Sequence, residues 1–76
     1  MRKTPQRVLA GRAVSAQMRR LGVSSGTLAR RMGMSNAELE AYLSGEMAFT
    51  VDQLEDVSTI LGVQISTLLG RKPPEE

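Results

Sequence analysis

Seventy-six residues bound the chain to one small domain with a single modest core. Hydrophobic residues make up 41% and aromatics only 3%, so that core must be aliphatic. The absence of cysteine and histidine removes disulfide stapling, thiol chemistry, most zinc sites and every Ser-His or Cys-His couple.

The net charge of +2 conceals a lopsided layout. Every charge up to residue 31 is positive: Arg2, Lys3, Arg7, Arg12, Arg19, Arg20, Arg30 and Arg31. Every charge from residue 32 to 70 is negative: Glu38, Glu40, Glu46, Asp52, Glu55 and Asp56. Such a layout suggests either one surface suited to a polyanion and another that is not, or two solvated faces that attract each other within the fold. The basic start resembles the opening of a signal peptide, but Arg7 and Arg12 interrupt any apolar run. No stretch approaches the length of a membrane span, and the expectation is a cytoplasmic protein. Neither histidine, cysteine nor lysine falls within the part expected to fold, so no enzyme activity, cofactor or metal is expected.

Residues 1–7 contain Pro5 and no apolar periodicity, and read as a flexible basic arm. From about Val8 the pattern turns helical, with Ala10, Val14, Met18 and Leu21 forming an inward stripe. Gly22 ends this first helix and Val23 turns back to the core. Ser24 reads as the N-cap of a second helix with Leu28, Ala29 and Met32 inward. Gly33 ends it, and Gly33-Met34-Ser35 makes a tight turn. Ser35-Asn36-Ala37-Glu38 is a capping box that opens a third helix, whose apolar side is Leu39, Tyr42 and Leu43 and whose end is Gly45.

Residues 46–49 form a connection with Met47 and Phe49 turned inward. Thr50-Val51-Asp52-Gln53 is a second capping box, opening a fourth helix through Leu54, Val57, Ile60 and Leu61 to Gly62. After Val63, Ile65 to Leu69 give a short fifth helix closed by Gly70, and residues 71–76 read as a disordered tail. Five helices, no strands and short links predict a compact all-α domain over residues 8–70.

Ser24 to Gly45 is the pivotal stretch. A small residue at Ala29, a turn glycine at Gly33 and apolar anchors at Leu39 and Leu43 allow two short helices to cross closely. Around it, Leu21-Gly22-Val23-Ser24, Leu28-Ala29, Gly33-Met34-Ser35, Leu39, Gly45, Thr50, Leu54, Leu61-Gly62-Val63 and Leu68-Leu69 resemble the Xre family of lambda-repressor-like helix-turn-helix domains, the Cro and CI class. The resemblance spans roughly residues 8–70 and implies a five-helix DNA-binding domain containing a helix-turn-helix. Members of the family usually bind near-palindromic double-stranded DNA as homodimers and act as transcriptional repressors or activators. The small size fits a phage or prophage regulator.

Carried over by position, the resemblance places a recognition helix at about residues 36–44 in the major groove, with Asn36, Ala37, Glu40 and Ala41 toward the bases. Asn36 has the paired donor and acceptor that adenine presents, Ala37 and Ala41 suit a thymine methyl, and a carboxylate such as Glu40 accepts from a cytosine amino group. Contacts to the DNA backbone then fall to Arg2, Lys3, Arg7, Arg19, Arg20, Ser24, Ser25, Gly26, Thr27, Ser35 and Ser44.

The chain departs from the family at Ser25, where many members carry Gln, and at Met18 and Leu43, where many carry an Arg–Glu pair. The third helix also bears Glu38 and Glu40 and no Lys, Arg or Gln. That acidic face supports a second reading, a protein-binding regulator on the same fold that docks a basic protein partner.

Overall fold

The computed structural model describes residues 5–69. Their order is α1 (Gln6–Leu21), α2 (Ser25–Met32), α3 (Asn36–Ser44), α4 (Val51–Leu61) and α5 (Ile65–Leu68), with no strand among the described residues. None of these helices is long and apolar enough to cross a membrane. Gly70, the tail and the arm residues Arg2 and Lys3 lie outside the described residues.

Local chemistry sets most of the boundaries. Pro5 precedes α1 at φ −58°, and its carbonyl accepts from the amides of Val8 (3.0 Å) and Leu9 (3.1 Å). Proline carries the backbone angle of a helix start and has no N–H to leave unpaired, so α1 begins two residues before Val8. Gln6 and Arg7 thus belong to the helix, not to an arm.

Gly22 closes α1 at φ 72°, and the Val23 amide returns to the Met18 carbonyl at 2.9 Å. The same step recurs at Gly33, where Met34 bonds back to Ala29 (3.0 Å), and at Gly62, where Val63 bonds back to Ser58 (3.0 Å). In each case the residue after the glycine packs against the core. A left-handed glycine followed by an apolar residue both satisfies end carbonyls and redirects the chain inward.

Five side chains are almost wholly excluded from water: Val14, Leu28, Leu39, Val57 and Leu68. Each helix contributes one of them, so the core is the point where all five meet. Met18, Ala29, Leu54 and Leu61 complete the cluster, and Leu43 packs against it. Met18 and Leu43, where the resemblance in the sequence would place an ion pair, are both apolar and pack here. Two apolar groups there leave no charge buried without a partner.

Two expected core residues lie outside. Leu21 is 41% exposed, because the left-handed turn at Gly22 delivers Val23 to the core in its place. Met47 is 44% exposed, while Phe49 fills the inward slot and stacks on Tyr42 at 5.0 Å between ring centroids. The fifth helix is one residue shorter than expected, with Leu69 as its cap.

Candidate nucleic-acid interface

The wedge of α2 and α3 is set by three local devices. Ser24 caps α2, its Oγ accepting from the Thr27 amide at 3.2 Å and donating to the Thr27 hydroxyl at 2.9 Å. Gly33 makes the turn at φ 73°, and no atom within 4 Å would obstruct a Cβ there. Backbone angle and not space therefore favours glycine at this position. Ser35 caps α3, accepting from the Glu38 amide at 3.0 Å, while the Glu38 carboxylate accepts from the Ser35 amide at 3.1 Å. Two orphan donors are satisfied, and both the Ser35 hydroxyl and the Glu38 carboxylate are engaged in holding the helix start.

With Leu39 at 0% exposure against the rest of the core, the opposite side of α3 is fixed in direction. At about 100° per residue, Ala37, Glu40, Ala41 and Ser44 fall within about 100° of arc on the side away from Leu39. Asn36, Ala37, Glu40 and Ser44 are exposed and Ala41 is half-buried. The strip is open to solvent at Ala37, Glu40 and Ser44. The Ser44 hydroxyl donates to the Ala41 carbonyl at 3.1 Å and accepts from the Glu46 amide at 3.4 Å, so it is partly committed to finishing the helix. On α2, Gly26 and Thr27 are exposed and Ser25 is half-buried. The first-turn amides and the positive end of the dipole make this stretch suited to an anion.

The basic residues divide by location. Arg19 and Arg20 are exposed in the last turn of α1, which a three-residue connection, Gly22–Ser24, joins to α2. Arg20 is tethered along its own helix, with Nε and Nη2 both donating to Gln17 Oε1 at 3.0 and 2.9 Å. Arg30 and Arg31 are exposed in the last turn of α2. Arg7 lies elsewhere: its Nε donates to the Gly45 carbonyl at 2.9 Å, which puts it at the far end of α3. The expectation of a free arm is corrected at this position: Arg7 lies in α1 and its Nε is engaged with the protein.

Three features were not legible in the pattern of residues. Besides the Arg7 bond, Gln53 bridges the two halves of the fold. It caps α4 through Thr50 and donates to the Tyr42 hydroxyl of α3 at 3.2 Å. Gly11 sits inside α1, where a Cβ would collide with the Leu43 carbonyl and lie 2.8 Å from the Tyr42 oxygen. A lone glycine within an otherwise regular apolar helical pattern was the available signal for this close approach. Among the described residues there is no cluster of three or more acidic side chains able to hold a metal ion.

Comparison with curated proteins and with solved structures gives no match. The sequence profile of the Cro/C1-type HTH DNA-binding domain matches residues 14–74, from the middle of α1 to beyond α5. With the capped α2–turn–α3 wedge in place, that match over most of the chain means that the protein belongs to the Cro/C1-type helix-turn-helix DNA-binding family.

Proposed function

We propose that this chain is a sequence-specific transcriptional regulator that inserts α3 into the major groove of double-stranded DNA. The observation that carries the reading is the open side of α3, with Ala37 and Glu40 exposed away from a fully buried Leu39 and Asn36 exposed in the first turn. In this reading Asn36 pairs with adenine, Ala37 and Ala41 meet thymine methyls, and Glu40 accepts from a cytosine amino group. The start of α2, from Ser24 to Thr27, and the arginines at the end of α1 lie along the sugar–phosphate chain. Ser35 and Ser44 flank it from the two ends of α3, and Arg2 and Lys3 add charge ahead of α1. So few base contacts leave much of the selectivity to DNA shape.

A homodimer would set two α3 helices about 34 Å apart on successive turns of a near-palindromic site. Ile65, which opens α5, and Leu69, which caps it, are half-buried and would supply the dimer's apolar contact, whereas Leu68 is a core residue at 0% exposure. The protein-docking alternative draws on the exposed Glu40 and on the lack of a cation on α3. It is weakened by the engagement of Glu38 in the cap, which leaves a single free carboxylate on that helix.

Binding to duplexes selected from random sequence, repeated across a salt series, tests the reading. A DNA regulator gives a reproducible selected site, and log K falls with log salt by about 0.9 for each phosphate contact. No selected site, or retention that ignores salt, favours the protein-docking alternative.

A further inference from the structure

Arg7 differs from the other arginines in what it touches. Helices α1 and α2 each end on two arginines of their own, whereas α3 has no basic residue in its last turn. The end of a helix gathers unpaired carbonyls and the negative pole of the dipole, so a cation there is stabilising. Arg7 supplies one from thirty-eight residues away, through the 2.9 Å bond to the Gly45 carbonyl. The contact is backed by close packing on both sides. A Cβ on Gly45 would fall 2.7 Å from Val8 Cγ2, and a Cβ on Gly11 would strike the Leu43 carbonyl. One side of α1, from Arg7 through Val8 to Gly11, is therefore seated against the last turn of α3 and the residue that ends it.

We propose that Arg7 is a positioning residue for DNA reading and not a phosphate clamp. The Ser35–Glu38 box fixes the start of α3, and Arg7 fixes its other end together with the Gly45–Met47 turn. A helix of nine residues held at both ends keeps one pitch relative to the core. Paired hydrogen bonds to a base edge need that constancy, because they weaken steeply with misalignment. The inference rests on the reading that α3 enters the groove.

The test compares the full chain with Arg7→Met, which removes donor and charge, and with Arg7→Gln, which keeps an N–H donor without the charge. Amide hydrogen exchange of the free protein is one readout, and affinity for the selected duplex across a salt series is the other. Arg7→Met is expected to speed exchange at Gly45 and Met47 by about tenfold and to weaken binding by about tenfold, the scale of one charge-assisted hydrogen bond. The salt slope stays at the wild-type value, and Arg7→Gln recovers most of both losses.

A slope reduced by about 0.9 per copy in both variants, with exchange unchanged, identifies a phosphate contact and overturns the proposal. Unchanged exchange at Gly45 and Met47 overturns it without reference to DNA. If the wild-type chain selects no duplex, the groove reading itself has failed, and the role of Arg7 in base reading fails with it.

Discussion

Replacing Gly11 with alanine isolates the contact on which the tilt of α3 depends. In isolation the change favours the helix by about 0.8–1.0 kcal/mol, because alanine loses less backbone freedom than glycine. Here the added Cβ meets three backbone atoms of α3: the Leu43 oxygen, the Tyr42 oxygen at 2.8 Å and the Leu43 carbonyl carbon at 2.9 Å. None of these can rotate away as a side chain would. Relief to the 3.4 Å of ordinary contact requires the Tyr42 oxygen alone to retreat by about 0.6 Å, and α1 and α3 must separate together. Overpacking of this kind costs about 1–3 kcal/mol, which exceeds the propensity gain.

The net expectation for Gly11→Ala is a loss of up to about 2 kcal/mol, or a Tm lowered by up to roughly 15 °C in a domain of this size. Gly26→Ala is the matched control. It is the same change inside α2, with negative φ and no atom within 4 Å of the new Cβ. It should raise stability by about 0.4–1 kcal/mol through the unfolded chain. Thermal and urea unfolding followed by far-ultraviolet circular dichroism measures both. If Gly11→Ala melts at or above the wild-type temperature, the close approach of α1 to α3 is not a constraint and the reasoning is wrong.

Three further outcomes are expected. Asn36→Ala should reduce discrimination at one base pair of the selected site by about 1–3 kcal/mol, measured as relative affinity for duplexes varied at that pair; an unaltered preference removes Asn36 from the reading surface. Ser35→Ala should cost about 1 kcal/mol in urea unfolding by removing the cap on the Glu38 amide, and Leu39→Ala about 2–5 kcal/mol by opening a cavity at a residue with 0% exposure. An equal cost for the two would contradict the separation of cap from core.

Much of the site could be read before any coordinates. The 3.6-residue period put Leu39 inside, the family resemblance placed Ala37, Glu40 and Ala41 toward the outside, and the serine-to-glutamate spacing announced the start of α3. The period could not separate residues that compete for one place. Leu21 and Val23 are both apolar and two positions apart, and only the turn at Gly22 admits Val23 to the core. Met47 and Phe49 compete in the same way, and stacking on Tyr42 favours Phe49. Arg7 was assigned to phosphate on charge alone, since nothing near residue 7 in the chain indicates a carbonyl at residue 45.

The sequence by itself determined where α2, α3 and α4 begin and end and which side of each is apolar. Caps, left-handed glycines and side-chain periodicity act over three to five residues and are written in consecutive positions. Only the tertiary structure decided how closely α1 approaches α3, which cation serves the end of α3, and that Gln53 joins α4 to Tyr42. Those contacts link residues from eleven to thirty-eight positions apart. Their partners are chosen by the packing of five helices around one small core, a choice that no local pattern of residues carries.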